Sequence, residues 1–272
     1  DIEKVDNILE HPYDGDIFKI ETTHSIHPLE ITPQHPILVM VDQCKGTKFD
    51  IIKKRIMSYE KNNNIMDIFE KNPEQENQLF QWKEAEQLTY DDMPIYVIPT
   101  YSEDNKLTWE DCYMYGIILG DGCLSNQYTN GYISMHTVNK RNILDFCKNY
   151  FDKRYIQYVI DTNKNIKRIR WNKTLNMPIR YSDIYDTNKE KYIASDWINL
   201  PIDKSKYIVK GLIDTDGCIN REVVFDSTSY NLIENMRFLL LKMGIPTSGY
   251  KRDRVGEKHY TERGVIENKK IS

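Results

Sequence analysis

Gly116-Ile117-Ile118-Leu119-Gly120-Asp121-Gly122-Cys123-Leu124 and Gly211-Leu212-Ile213-Asp214-Thr215-Asp216-Gly217-Cys218-Ile219 are two copies of one pattern in a single chain. Each is an apolar helical segment that ends in Asp-Gly. A helix C-terminus carries partial negative charge, so it favours a cation and disfavours a carboxylate. The same local rule is broken twice at equivalent positions, which points to a functional site. A bound divalent cation is the natural remedy. The glycine after each acid suits a helix C-cap. Gly116 and Gly211, early in each copy, let two helices pack backbone to backbone, and that packing would bring Asp121 and Asp216 together. An EF-hand loop starting at Asp214 is excluded, because Gly217 comes too early and no carboxylate follows at the required spacing.

The repeat continues past the motif. Ile133-Ser134-Met135-His136-Thr137 precedes a helix-like run from Asn142, and Val223-Val224-Phe225-Asp226-Ser227 precedes one from Asn231. The copies are offset by 95 residues at the acids but by 90 at these strands, so the second hairpin loop should be about five residues shorter. Leu232, Ile233, Met236, Leu239, Leu240 and Met243 share one face of the later helix, which Gly244 and Pro246 stop. Each half reads helix, strand, strand, helix, strand. Two such halves related by a pseudo-twofold axis through the motif helices would present one saddle-shaped sheet.

The motif pair resembles that of the LAGLIDADG homing endonucleases. Val209 to Gly217 is the nearer copy, and in Met114 to Gly122 the sixth position is Leu119 instead of an acid. The resemblance implies metal-dependent hydrolysis of one phosphodiester in each strand of double-stranded DNA at a long, asymmetric target. Asp121 and Asp216 would be the catalytic and metal-binding acids, holding Mg²⁺ or another divalent cation such as Mn²⁺. It also implies a basic residue near each scissile phosphate, with Lys189, Lys191 and Lys204 as candidates in the first half.

Charge supports a nucleic-acid partner once the chain is divided at the first motif. Residues 1–112 hold 11 Lys/Arg against 23 Asp/Glu, whereas residues 113–272 hold 26 against 18. Ile166-Lys167-Arg168-Ile169-Arg170-Trp171 alternates as a strand with one basic face, beside Lys164. Lys251, Arg252 and Arg254 stand in a comparable place after the second helix. Two basic stretches at repeat-equivalent sites suggest a phosphate-lined groove. With 40% hydrophobic residues the chain can fill two cores. No apolar run is long enough to span a membrane, and no signal peptide is visible. An intracellular monomer is expected. Five cysteines without a Cys-x-x-Cys pair indicate neither a disulfide framework nor a zinc site. Cys123 and Cys218 are expected to be small buried residues.

The acidic first part is rich in strand-like segments: Ile17 to Ile20, Ile37 to Met40 and Ile95 to Ile98. Between them, Ile31-Thr32-Pro33-Gln34-His35-Pro36 resembles the Thr-x-x-His block of inteins, which have the Hint fold. The strand ahead of it, and the segment from Trp82 through Pro94 and Pro99, resemble the neighbouring parts of that domain. The resemblance implies that Thr32 and His35 assist an N-to-S acyl shift, with imidazole protonating the leaving amide and the hydroxyl stabilising the oxyanion. The expected fold class is α+β. A partial all-β Hint domain over 1–100 would precede a LAGLIDADG domain over 101–272, with αββαβ repeats at about 111–206 and 207–272. The splicing junction residues of an intein are missing at both ends and the second repeat is short, so the chain is expected to be a piece of a longer element within a host protein. Two other classes stay open: an intein whose nuclease has decayed, and a LAGLIDADG-type binding protein such as an RNA maturase or a transcription factor.

Overall fold

The computed structural model describes residues 10–22, 28–41, 80–95, 98–126, 130–136, 140–172, 174–252, 255–256, 258–261 and 264–267. The described residues divide into two compact units, one within residues 10–95 and the other within residues 98–267.

The N-terminal unit is built of strands in its described parts. β1 (Phe18–Ile20) pairs antiparallel with β2 (Leu29–Ile31). β3 (Pro36–Val41) lies between β4 (Phe80–Glu84) and β5 (Asp92–Pro94), antiparallel to both. The strand expected at Ile95–Ile98 thus forms slightly earlier, where Met93 can pair with Met40. Tyr96 and Val97 lie outside the described residues. Thr32-Pro33-Gln34-His35 forms the turn from β2 into β3, closed by His35 N–H on the Thr32 carbonyl at 3.0 Å. Proline suits the second position of such a turn, because its φ is already set. Ala85 and Glu86 donate backbone hydrogen bonds into the turn, at the carbonyls of His35 and Pro33.

In the second unit, α1 (Trp109–Asp121) opens with a capping box. Thr108 accepts from Asp111 N–H, and the Asp111 carboxylate accepts back from Thr108. Asp111 is buried, and Tyr150 and Arg154 satisfy its other oxygen at 2.7 and 2.6 Å. Then come β6 (Gly122–Leu124), β7 (Gly131–His136), α2 (Arg141–Lys153), β8 (Tyr158–Asn163) and β9 (Ile166–Trp171). These strands form an antiparallel sheet in the order β6-β7-β9-β8. The first half, like the second, therefore has one strand more among the described residues than the expected αββαβ. Short helices α3 (Tyr181–Ile184) and α4 (Ser195–Ile198) lead to the second motif helix, α5 (Ile202–Asp216). The second half continues with β10 (Gly217–Ile219), β11 (Val223–Phe225), α6 (Tyr230–Lys242), β12 (Lys258–Thr261) and β13 (Gly264–Glu267).

α1 and α5 form the centre of this unit. A Cβ on Gly116 would lie 2.3 Å from the Ile208 carbonyl oxygen and 3.0 Å from Gly211 Cα. One on Gly211 would lie 2.6 Å from the Tyr113 carbonyl oxygen. The helices touch through backbone, as the early glycines of each motif imply. Ile117, Ile118, Leu119, Ile208 and Leu212 are fully or almost fully buried around this contact. Each motif helix passes into a strand at its terminal glycine without an intervening loop. Gly122 and Gly217 are the C-caps of their helices, as their place in the sequence implies, and their backbones are extended (φ −97° and −78°). Glycine is required there for space: a Cβ would stand 2.6 Å from Ile118 Cα in one and 2.5 Å from the Ile213 carbonyl oxygen in the other.

The two halves differ beyond the motif. Gly122 pairs with Ile133 but Gly217 pairs with Phe225, so the second hairpin is three residues shorter, not five. β10–β11 and β12–β13 are separate two-stranded sheets, so the described strands make no continuous saddle. α6 ends as expected: Gly244 (φ +74°) donates to the Leu241 carbonyl and Ile245 to that of Leu240, a Schellman closure. No described helix is long and apolar enough to cross a membrane.

Gly116→Ala and Gly211→Ala should each destabilise the protein by about 1–3 kcal/mol or more through overpacking of backbone on backbone. Gly249→Ala should change little, because the added Cβ meets only Arg237 Nη1 at 3.4 Å. Urea unfolding measures both, and equal midpoints for all three variants would disprove the tight contact.

Candidate functional site

Asp121 and Asp216 are the last residues of α1 and α5. The close approach of these helices carries through to their C-termini. A Cβ on Gly120 would fall 2.0 Å from Thr215 Oγ1 and 3.3 Å from Asp216 Oδ2. The second motif's acid thus lies beside the residue that precedes the first motif's acid. Thr215 is buried and donates its hydroxyl back to the carbonyls of Gly211 and Leu212 at 2.8 and 3.0 Å. The Asp121 side chain is 17% exposed, whereas Asp216 is an exposed residue.

Burial is the main cause that raises the Asp121 pKa above the ordinary carboxylate value. The Asp216 charge adds to it, while Lys140 and Lys191 oppose it. Desolvation, more than mutual repulsion, makes this acid resist ionisation.

Two lysines answer the acids. Lys140, at the N-terminal boundary of α2, places Nζ 2.5 Å from Asp121 Oδ2. Lys191 lies in the segment between α3 and α4. Its ammonium reaches the carbonyl oxygens of Leu119 and Gly120, both at 2.7 Å, and of Gly122 at 3.0 Å. The carbonyl of Ile118 stands at 3.4 Å. Leu119 and Gly120 belong to the last turn of α1, whose carbonyls carry the partial negative charge of the helix end, so the Lys191 ammonium offsets that charge. Burial pulls the Lys191 pKa down, and the charges of Asp216, Cys123 and Asp121 hold it up. Both halves fix the backbone around it. Ser229 Oγ donates to the Lys191 carbonyl at 2.5 Å, the Ile193 N–H to Asn235 Oδ1 at 2.9 Å, and the Ala194 N–H to the Tyr115 hydroxyl at 3.1 Å.

Of the three lysines singled out in the sequence, Lys191 alone stands beside both acids. Lys189 is exposed with φ 63°. Lys204 pairs with Asp104 at 2.5 Å in the first turn of α5, the opposite end from Asp216. Lys140 has no signal in the sequence, since it faces Asp121 through the return of the chain by β7. Leu119, the departure in the first motif, is 1% exposed in the core. Its counterpart Asp214 accepts from the Tyr113 hydroxyl and from Lys210 Nζ, both at 2.5 Å, so this position serves the helix interface.

The four-stranded sheet turns one face to the core, with Ile133, Met135, Ile169 and Trp171 buried. Its other face carries Tyr132, Ser134 and His136 of β7 and Ile166, Arg168 and Arg170 of β9. Arg168 donates to Ser134 Oγ at 3.0 Å with its guanidinium 4.7 Å from the Tyr132 ring centre. Arg170 pairs with Asp161 at 2.5 Å. Strand alternation puts Lys167 on the opposite side, with Ile169 and Trp171, which corrects the single basic face expected of Lys167, Arg168 and Arg170. Lys164 is exposed in the β8–β9 turn with φ 52°. Lys251 and Arg252 are exposed but lie in an irregular segment rather than a strand, Lys251 over the Tyr230 ring at 4.6 Å. Arg254 lies outside the described residues. Cys123 is half-buried and Cys218 exposed, so the second is not the buried residue expected.

Thr32 and His35 share one turn of the N-terminal unit, Thr32 half-buried and His35 exposed. No group of three or more His, Cys, Asp or Glu side chains suited to a metal ion occurs among the described residues.

The second unit is thus a two-motif α+β structure with an acid at each motif helix end. Residues 203–271 match the family model of a LAGLIDADG-like domain, which covers the second motif and the chain after it. The ATP-dependent DNA helicase Hel308 of Methanocaldococcus jannaschii is 27% identical over 233 residues, 81% of this chain. The match spans 18% of the helicase's length. Among solved structures, mesophilic variants of the homing endonuclease I-DmoI are similar at a TM-score of 0.38 and 15% identity, over 50% of this chain and 77% of that one. I-DmoI in complex with DNA and Ca is similar at 0.39 and 14%, over 58% and 80%.

The raised Asp121 pKa has a consequence for stability. The folded protein holds this proton at pH values where the unfolded chain has lost it. Stability therefore falls as pH rises from the ordinary carboxylate value through the folded one. Asp121→Asn should raise the melting temperature near pH 7.5, and the gain should shrink toward pH 4. Melting curves across that range check it, and a gain that grew on acidification would contradict the burial argument.

Proposed function

We propose that the chain is a metal-dependent, site-specific DNA endonuclease carried in a protein-splicing element. The observation that carries the nuclease part is the convergence of Asp121 and Asp216 at the ends of two helices packed through Gly116 and Gly211. Two carboxylates form an oxygen-only donor set, the chemistry of Mg²⁺ or Mn²⁺. Asp121 and Asp216 would hold the cation, and water and DNA phosphate oxygens would complete its shell. When bound, such an ion neutralises phosphate charge, lowers the pKa of a coordinated water and stabilises a leaving oxygen.

The remaining tasks belong to the chain. Lys191 uses its ammonium protons on the carbonyls around Asp121, so it is a positioning residue that fixes where this carboxylate points. The open sheet face offers Arg168, Ser134 and Tyr132 to double-stranded DNA, with Arg170 available by exchange from Asp161. Guanidinium groups there would meet phosphates and strand side chains would read base edges. The two halves differ in side chains and hairpin length, which suits an asymmetric target bound by one chain.

The splicing part rests on the Thr32–His35 turn within a unit of strands, and on the extent of the helicase match. An alignment over 81% of the chain is longer than residues 98–272 alone, so it reaches into the N-terminal unit. Parts of both units thus have counterparts within 18% of the helicase's length, which supports the reading of an element inserted into a host. A second reading, a splicing element with a decayed nuclease, is favoured by one contact, the Lys140 ammonium already seated on Asp121.

Asp121→Asn and Asp216→Asn should each abolish or cripple double-strand cleavage of a duplex bearing the native insertion site, while DNA binding is retained. The assay is run with Mg²⁺ and with EDTA. Cleavage that survives EDTA or the double variant defeats the metal mechanism, and wild-type binding without cleavage under any divalent metal selects the decayed nuclease.

Arg168→Ala should weaken duplex binding about equally across sequences and lower the slope of log K against log salt by roughly 0.9. Lys167→Ala, on the other side of the sheet, should leave the slope unchanged, and the reverse result would place the DNA on the other face. In the full-length splicing element, His35→Ala should stop cleavage at the upstream junction and spare DNA cleavage. Normal splicing by that variant would remove the role of the turn.

A further inference from the structure

The two motif acids are equivalent in sequence but not in surroundings. The residue at the N-terminal boundary of the helix after each hairpin is Lys140 before α2 and Ser229 before α6. Lys140 sits 2.5 Å from Asp121 Oδ2. Ser229 caps its own helix and donates to the Lys191 carbonyl, so it has no charge to offer Asp216. Among the described residues Asp216 makes no ion pair, and it is the more exposed of the two. Both acids feel the charge of Lys191, but only Asp121 is ion-paired to a lysine among the described residues.

We propose that Lys140 is a built-in competitor for the divalent ion at Asp121, so that the two motif acids take up the ion unequally and the first does so as Lys140 releases it. This rests on the reading of Asp121 and Asp216 as cation ligands. Lys140 comes shortly after His136, the last residue of β7, and its released ammonium can turn to a DNA phosphate. Phosphate and divalent ion then favour the same state, with Lys140 off Asp121. By linkage each raises the affinity of the other.

The test titrates Mn²⁺ into the intact protein without DNA and reads the free ion by electron paramagnetic resonance. Lys140→Met should tighten Mn²⁺ binding about three- to tenfold, the effect of removing one competing charge from a partly exposed carboxylate. Lys140→Arg should stay near wild type, because it keeps the charge. The gain should persist in an Asp216→Asn background and vanish in an Asp121→Asn background. Lys140→Gln repeats the measurement if Lys140→Met does not show the wild-type circular dichroism. Unchanged or weaker binding by a folded uncharged variant, with wild-type binding still dependent on Asp121, overturns the competitor and leaves the nuclease reading standing. Absence of Asp121-dependent Mn²⁺ binding in every variant overturns that reading and the competitor with it.

Discussion

The contact of two helix backbones at Gly116 and Gly211 is the constraint on which the second unit depends. Side chains normally hold packed helices 8–10 Å apart. Here the nearest atoms are a carbonyl oxygen and a Cα, with no room for a Cβ. The close contact continues to the helix ends, where Gly120 meets Thr215. The two C-termini, and the acids on them, are therefore brought together by packing before any ligand arrives. Because Gly122 and Gly217 pass straight into β6 and β10, the same contact sets where both hairpins start. Site and sheet are placed by one interface.

That placement has an electrostatic cost, and segments outside the motifs offset it. α1 ends in a partial negative charge and a half-buried carboxylate. Lys191 comes from the linker between α3 and α4 to take the carbonyls, and Lys140 comes from the start of α2 to take the carboxylate. α5 ends in a more exposed carboxylate, and water can solvate it. Burial thus decides which helix end needs lysines. The linker that holds Lys191 is itself bonded to Tyr115 of α1 and to Ser229 and Asn235 of the second half, so the ammonium is held by the elements it serves.

Much of this was legible in the sequence because it is local or periodic. The glycine spacing implied a backbone contact, the apolar face of Leu232 to Met243 implied α6, and alternation implied β9. The placement of Lys167 was misjudged although the information was present: period two separates it from Arg168 and Arg170. The caps at Gly122 and Gly217 were legible, but the reason they must be glycine was not, since the need for space is set by the preceding turn of helix. Lys140 could not be found by pattern, because its relation to Asp121 exists only after β7 returns the chain. Lys191 could be named as a candidate but not chosen, for the same reason. The Thr32–His35 turn was legible through its proline, yet a turn is a geometry that many proteins use.

The interface also explains why these halves belong in one chain. At the seventh position of the motif, Gly120 of the first copy faces Thr215 of the second, with no space for even a methyl group between them. At the sixth, Leu119 is in the core whereas Asp214 is paired across the interface with Tyr113 and along its own helix with Lys210. Two copies of α5 would set threonine against threonine in a space that holds one. Two copies of α1 would leave that space empty and lose the Asp214 pairings. Each helix is thus shaped for the other and not for itself. A self-complementary dimer interface requires the same patch on both partners, and this patch is not its own complement. Pairing within the chain removes that requirement, and the two ends of the site are then free to differ in burial and in lysines.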